Sequence, residues 1–131
     1  MIRIMAGIVC GIVAWFIVAT IGNLVIRLSW PDYVAVETSM AFTLPMLLAR
    51  LLVGAVASLS AGALVGWIAR GSGKAVMGCG ILLTLLFIPI HYNLWDKFPL
   101  WYHAAFLISI FPLTLAGAYL SASANRAAPI A

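Results

Sequence analysis

The sequence predicts an all-α bundle of four transmembrane helices, in a single integral membrane domain covering residues 1–131. Composition is the first observation: 66% of the chain is hydrophobic and 8% charged, where a soluble domain carries about a quarter charged residues. A soluble fold of this size must still cover itself with polar groups, and this chain has too few of them. Lipid is the solvent that suits it. The second observation is where the charges fall. Uncharged stretches of 23 residues separate Arg3 from Arg27, 19 separate Arg50 from Arg70, 21 separate Lys74 from Asp96, and 28 separate Lys97 from Arg126. Each exceeds the roughly 18 apolar residues that argue for a spanning helix. The third is the absence of barrel-like alternation, since an open sheet edge leaves backbone groups unsatisfied in lipid.

The helices are expected near 4–27, 44–69, 75–95 and 100–122. An even number of spans puts both termini on one side together with the 70–74 connection. That side holds Arg3, Arg70, Lys74 and Arg126 and no acid, whereas the other holds Arg27, Arg50 and Lys97 beside Asp32, Glu37 and Asp96. The positive-inside rule therefore places both termini in the cytoplasm and the 91–103 hairpin outside. Arg3 and a long apolar run, with no small-residue cleavage site, read as a retained first span rather than a signal peptide.

The first helix carries Gly7 and Gly11 four residues apart. The second repeats the device at Gly54, Ser58, Gly62 and Gly66, which clears one ridge of bulk and lets a neighbouring backbone approach. This ridge marks the second helix as the centre of the bundle or the seam of a dimer, with packing inside one chain favoured. Cys10 and Cys79, one per span, read as buried thiols acting as small hydrophobes. Trp67 and Tyr119 suit the inner aromatic belt. Outside, Trp30-Pro31-Asp32-Tyr33 reads as a turn, and Pro45 as a first-turn residue of the second helix. Pro89 and Pro112 lie within the third and fourth helices and are expected to kink them. Gly71-Ser72-Gly73-Lys74 is a tight turn, and Ser121–Ala131 is expected to fray.

Most of the polar chemistry lies in His91-Tyr92-Asn93-Leu94-Trp95-Asp96-Lys97-Phe98-Pro99-Leu100-Trp101-Tyr102-His103. The candidate functional surface comprises His91, Tyr92, Trp95, Asp96, Trp101, Tyr102 and His103, with Arg50 and Glu37 from elsewhere. His91 and His103 end one helix and begin the next, so the hairpin can bring them together. They read as belt or hydrogen-bonding residues, with haem or metal ligation and proton transfer as alternatives; no carboxylate or cysteine at i+3 or i+4 supports a metal. Arg50 lies twenty residues before Arg70, about 30 Å of helix, so it can sit at the outer boundary and snorkel, paired with Glu37 or Asp32. The alternative is an intramembrane arginine on an anion path. Asp96, or a neighbour, is a candidate cap for the fourth helix.

No nucleophile–base pair, phosphate loop or metalloprotease motif is present. A small, scattered charge of +4 leaves no nucleic-acid footprint. The spans hold no Asp or Glu of the kind a proton-coupled exporter needs. The run from Leu94 to His103, followed by Phe106-Leu107 and Pro112-Leu113, resembles the C-terminal signature of a family of small four-helix bacterial inner-membrane proteins. That resemblance implies a bacterial inner membrane and four spans, and it brings no activity. The expected function is non-catalytic, an interaction or accessory protein meeting a membrane protein partner or lipid headgroups. A haem- or metal-binding redox protein using His91 and His103 is the first alternative. A homo-oligomeric channel or carrier with Arg50 in its pathway is the second.

Overall fold

The computed structural model describes residues 1–127, with side chains through Ala124. Four long helices form the bundle: α1 (Ile2–Ser29), α3 (Leu44–Ile68), α4 (Gly73–Asn93) and α5 (Leu100–Ala127), with a short α2 (Pro31–Glu37) between the first two. All four long helices are apolar enough to cross a bilayer. Only 22% to 33% of the most apolar window of each is buried within the protein. Such surface is unstable in water and natural in lipid, so this is a small multi-pass integral membrane protein. The helix ends follow the charges, as expected. The exception is the last helix, which continues past residue 122 to Ala127; residues 128–131 of the expected fraying tail lie outside the described residues.

The 28–43 connection departs from expectation. Trp-Pro-Asp-Tyr opens a helix rather than a turn, because Pro31 at the first position has no N–H to lose and Asp32 complements the positive helix end. Arg27 Nε lies 3.1 Å from Glu37 Oε2, an ion pair that fastens α2 to the end of α1. The α3–α4 connection is a Schellman close: Gly71 N–H donates to Gly66 C=O at 2.8 Å and Arg70 N–H to Trp67 C=O at 3.3 Å. Arg70 takes the left-handed position with φ 51°. Helices α4 and α5 run on through Pro89 and Pro112.

Helix α3 is the centre, packed chiefly against α5 and α1. Its small-residue ridge meets α5 within the same chain. A Cβ on Gly62 would overlap the Thr114 backbone, and one on Gly66 would lie 3.2 Å from Ala118. Gly117 of α5 returns the device, since a Cβ there would overlap the Leu59 backbone. On the α1 side, Gly7 and Gly11 receive Ala69 and Val65. Close backbone approach replaces the hydrophobic drive that lipid removes. The two cysteines differ. Cys79 is buried beside Gly11, whereas Cys10 is exposed on the lipid-facing side of α1, where no neighbouring helix covers it. Trp67 and Tyr119 are exposed near the end that carries the termini, as an aromatic belt requires.

Candidate functional site

Toward the end opposite the termini, the glycines give way to rings and the helices enclose a cavity of about 260 Å³. Its floor is an aromatic triangle at mid-bundle. Trp15 of α1 lies 4.5 Å from Phe87 of α4 and 6.3 Å from Phe106 of α5, centroid to centroid, and Phe87 and Phe106 are 5.1 Å apart. The floor is anchored to α3. Trp15 Nε1–H donates to Ser58 Oγ at 3.0 Å, and Ser58 donates onward to the Gly54 carbonyl at 2.8 Å. Ser58 thus serves as a hydrogen-bonding residue as well as a small one. Gly54 gives Phe106 its place: a Cβ there would stand 2.9 Å from the ring.

Arg50 stands one turn before Gly54 on α3, and lines the cavity. The expected pairing with Glu37 or Asp32 does not form: Glu37 is held by Arg27 and Asp32 is exposed. Arg50 is held by phenols instead. Its Nη1–H donates to Tyr33 at 2.6 Å and its Nε–H to Tyr102 at 3.3 Å. The guanidinium carbon lies 4.9 Å from the Phe42 centroid and 5.7 Å from that of Phe98, a cation–π setting. This is possible because α2 folds back over the bundle and buries Tyr33, leaving it 1% exposed. The Arg50 head is therefore directed into the protein, not out along the helix surface as a snorkelling side chain would be. No carboxylate reaches it among the described residues.

The 91–103 hairpin is not one surface. His91, Tyr102 and His103 turn inward and are buried, whereas Tyr92, Trp95, Asp96 and Trp101 are exposed. Helical periodicity separates them, because neighbours in sequence leave a helix in different directions. The histidines do meet, with Nδ1 of His91 2.8 Å from Nδ1 of His103 and the rings edge to face. One ring must donate and the other accept, so the pair carries complementary tautomers. His91 lines the cavity; His103 lies behind it, stacked on Trp95 at 5.1 Å, with its Nε2 buried and unpartnered. Nδ1 atoms in direct hydrogen-bond contact leave no room for an iron and its macrocycle between the rings. Among the described residues no three His, Cys, Asp or Glu side chains converge as a metal site. Asp96 is exposed at the hairpin tip, where backbone bonds such as Lys97 N–H to Leu94 C=O at 3.0 Å close the turn.

Thr20 and Asn23 of α1 complete the polar wall, with Phe98 of the hairpin also on the lining. Sequence reasoning passed over Thr20, Asn23, Tyr33 and the anchoring role of Trp15. Asn23 was the available signal, an amide seven residues, about two helical turns, after Phe16 in a span whose one other polar side chain nearby is Thr20. No family model, curated protein or solved structure matches this chain.

Proposed function

We propose that this protein is a non-catalytic binding protein of a membrane, whose working part is the cavity between α1, α3, α4 and α5. One observation carries the reading. A guanidinium is held in place by two phenols on the wall of a cavity, with no carboxylate beside it among the described residues. Folding alone gives no reason to keep such a charge in an apolar bundle, where charged groups in spans are usually paired or functional. At about 260 Å³ the cavity is slightly smaller than the roughly 300 Å³ at which the usual range of ligand pockets starts, so its ligand must be small. Aromatic walls with a few convergent polar groups are the usual composition of such sites.

The charge pattern supports a cytoplasmic location for both termini, which turns the cavity and hairpin to the outer half of the bilayer. The resemblance of the Leu94–His103 stretch supports a bacterial inner membrane. The exposed Tyr92, Trp95 and Trp101 then form the outer belt, a surface suited to lipid headgroups or a membrane partner. A channel reading is less well supported, because the Trp15–Phe87–Phe106 floor crosses the bundle below Arg50. A dimer seam on the glycine ridge is less well supported too, since α5 already occupies it. The test is thermal stabilisation of the detergent-purified protein by a panel of small apolar molecules, neutral and acidic. Ligands that stabilise the wild type should fail on Gly54→Leu, which drives Phe106 into the cavity. Failure of every compound to stabilise the wild type would remove the binding reading.

A further inference from the structure

The cavity wall carries information about the charge and shape of what it takes, and this rests on reading it as a binding site. Of the three acids in the chain, Glu37 is paired with Arg27, and Asp32 and Asp96 are exposed. Arg50 is thus a half-buried cation whose immediate neighbours are neutral: Tyr33 and Tyr102 by hydrogen bonds, Phe42 and Phe98 by their ring faces. The phenols are not sufficient compensation for a charge removed from water, because they offer dipoles and no opposite charge. They do fix its orientation. A guanidinium has five N–H groups; Nε and Nη1 donate once each to the phenols, and five less two leaves three for another acceptor. A planar fork with free donors matches the two oxygens of a carboxylate or phosphate.

The remaining lining sets limits on the rest of the molecule. Among the described residues Arg50 is the one formally charged residue on the wall, so a single negative charge is matched and a second is not. Thr20, Asn23 and His91 offer neutral hydrogen-bonding groups. One helical turn from Arg50, Gly54 lets the Phe106 ring lie against the α3 backbone, so the floor beneath the guanidinium is a flat aromatic surface. We propose that the cavity binds a singly charged organic oxyanion, with its acidic head on Arg50 and a flat or narrow apolar body against the aromatic floor. A free organic acid in the membrane and the phosphate of an anionic lipid headgroup share this chemistry.

The test compares matched probes in nanodiscs of phosphatidylcholine. Binding of 4-butylbenzoate is measured against the neutral 4-butylbenzamide, on wild type, Arg50→Gln and Arg50→Lys. The acid is expected to bind about tenfold or more tightly than the amide to wild type, the ratio for one charge-assisted hydrogen bond. That preference should vanish in Arg50→Gln and be reduced in Arg50→Lys, which keeps the charge and loses the fork. The comparison of acid with amide on wild type needs no variant to fold. Repetition in nanodiscs containing phosphatidylglycerol separates the two sources. Loss of benzoate binding there assigns the site to the lipid phosphate, and unchanged binding assigns it to a free acid. Equal binding of acid and amide to wild type would overturn the oxyanion proposal while leaving the cavity a binding site. Binding of neither probe would remove both.

Discussion

The two halves of this bundle use the same four helices in opposite ways. Near the termini, Gly7, Gly11, Gly62, Gly66 and Gly117 bring backbones into contact, and Val65, Ala61 and Cys79 are almost wholly buried. Toward the hairpin, Trp15, Phe87, Phe106, Phe98 and Tyr102 hold the helices apart, and polar groups find room between them. Small residues give association in lipid, where apolar burial between helices gains little. Large rings separate helices and leave gaps whose shape depends on a few side chains. The lesson is a division of labour along the membrane normal: close packing at one end supports a looser, chemically varied end.

The largest expected effect breaks the close-packed half. Gly62→Leu sets a side chain against the Thr114 backbone, which cannot retreat as a flexible side chain does. A loss of about 3 kcal/mol or more in a sodium dodecyl sulfate unfolding titration is expected, at the upper end for overpacking. A loss below about 1 kcal/mol would mean that α3 and α5 are not in contact there. Next comes the histidine pair. His103→Ala leaves His91 Nδ1 without its buried partner, at a cost of about 1–3 kcal/mol. The double variant His91→Leu/His103→Leu should cost less than the sum of the two single leucine variants, because no unpaired ring is left. Additive costs in that cycle would show that the rings do not interact.

How much of this was legible in the sequence follows the same division. The spans were legible because charges marked both ends of each, and the glycine ridge was legible from its four-residue spacing. Its partner was not, since spacing says that something approaches and not which helix. Arg50 stood out as a charge near a span, but the nearest acid in sequence, Glu37, was the wrong partner. A short helix formed where a turn was expected, carrying Glu37 to Arg27 and Tyr33 to Arg50. The hairpin read as one surface because it is one stretch of sequence; in three dimensions it separates His91, Tyr102 and His103 from Tyr92, Trp95 and Trp101. Phenols as the neighbours of a half-buried cation depend on tertiary contacts between residues far apart in sequence, and no local pattern reports them.

Smaller effects sharpen the contrast. Trp15→Phe keeps a ring on the floor and removes its bond to Ser58; about 0.6 kcal/mol is the expected loss, the average for interhelical hydrogen bonds in membranes. Additive costs of Trp15→Phe and Ser58→Ala in the double variant would show that the bond contributes nothing. Glu37→Gln should cost least, about 0.3 kcal/mol and so toward the low end for exposed pairs, because the Arg27–Glu37 pair is partly exposed and screened. Its effect should shrink further in high salt.

The central claim is that the hairpin half encloses a reachable polar cavity and the other half does not. It is tested most directly by cysteine labelling in a Cys10→Ala/Cys79→Ala background. Asn23→Cys, on the cavity wall, should react with a water-soluble, membrane-impermeant maleimide added outside, and Ala61→Cys, buried against the neighbouring helices, should not. Inert Asn23→Cys, or equal reaction at both positions, would contradict the account.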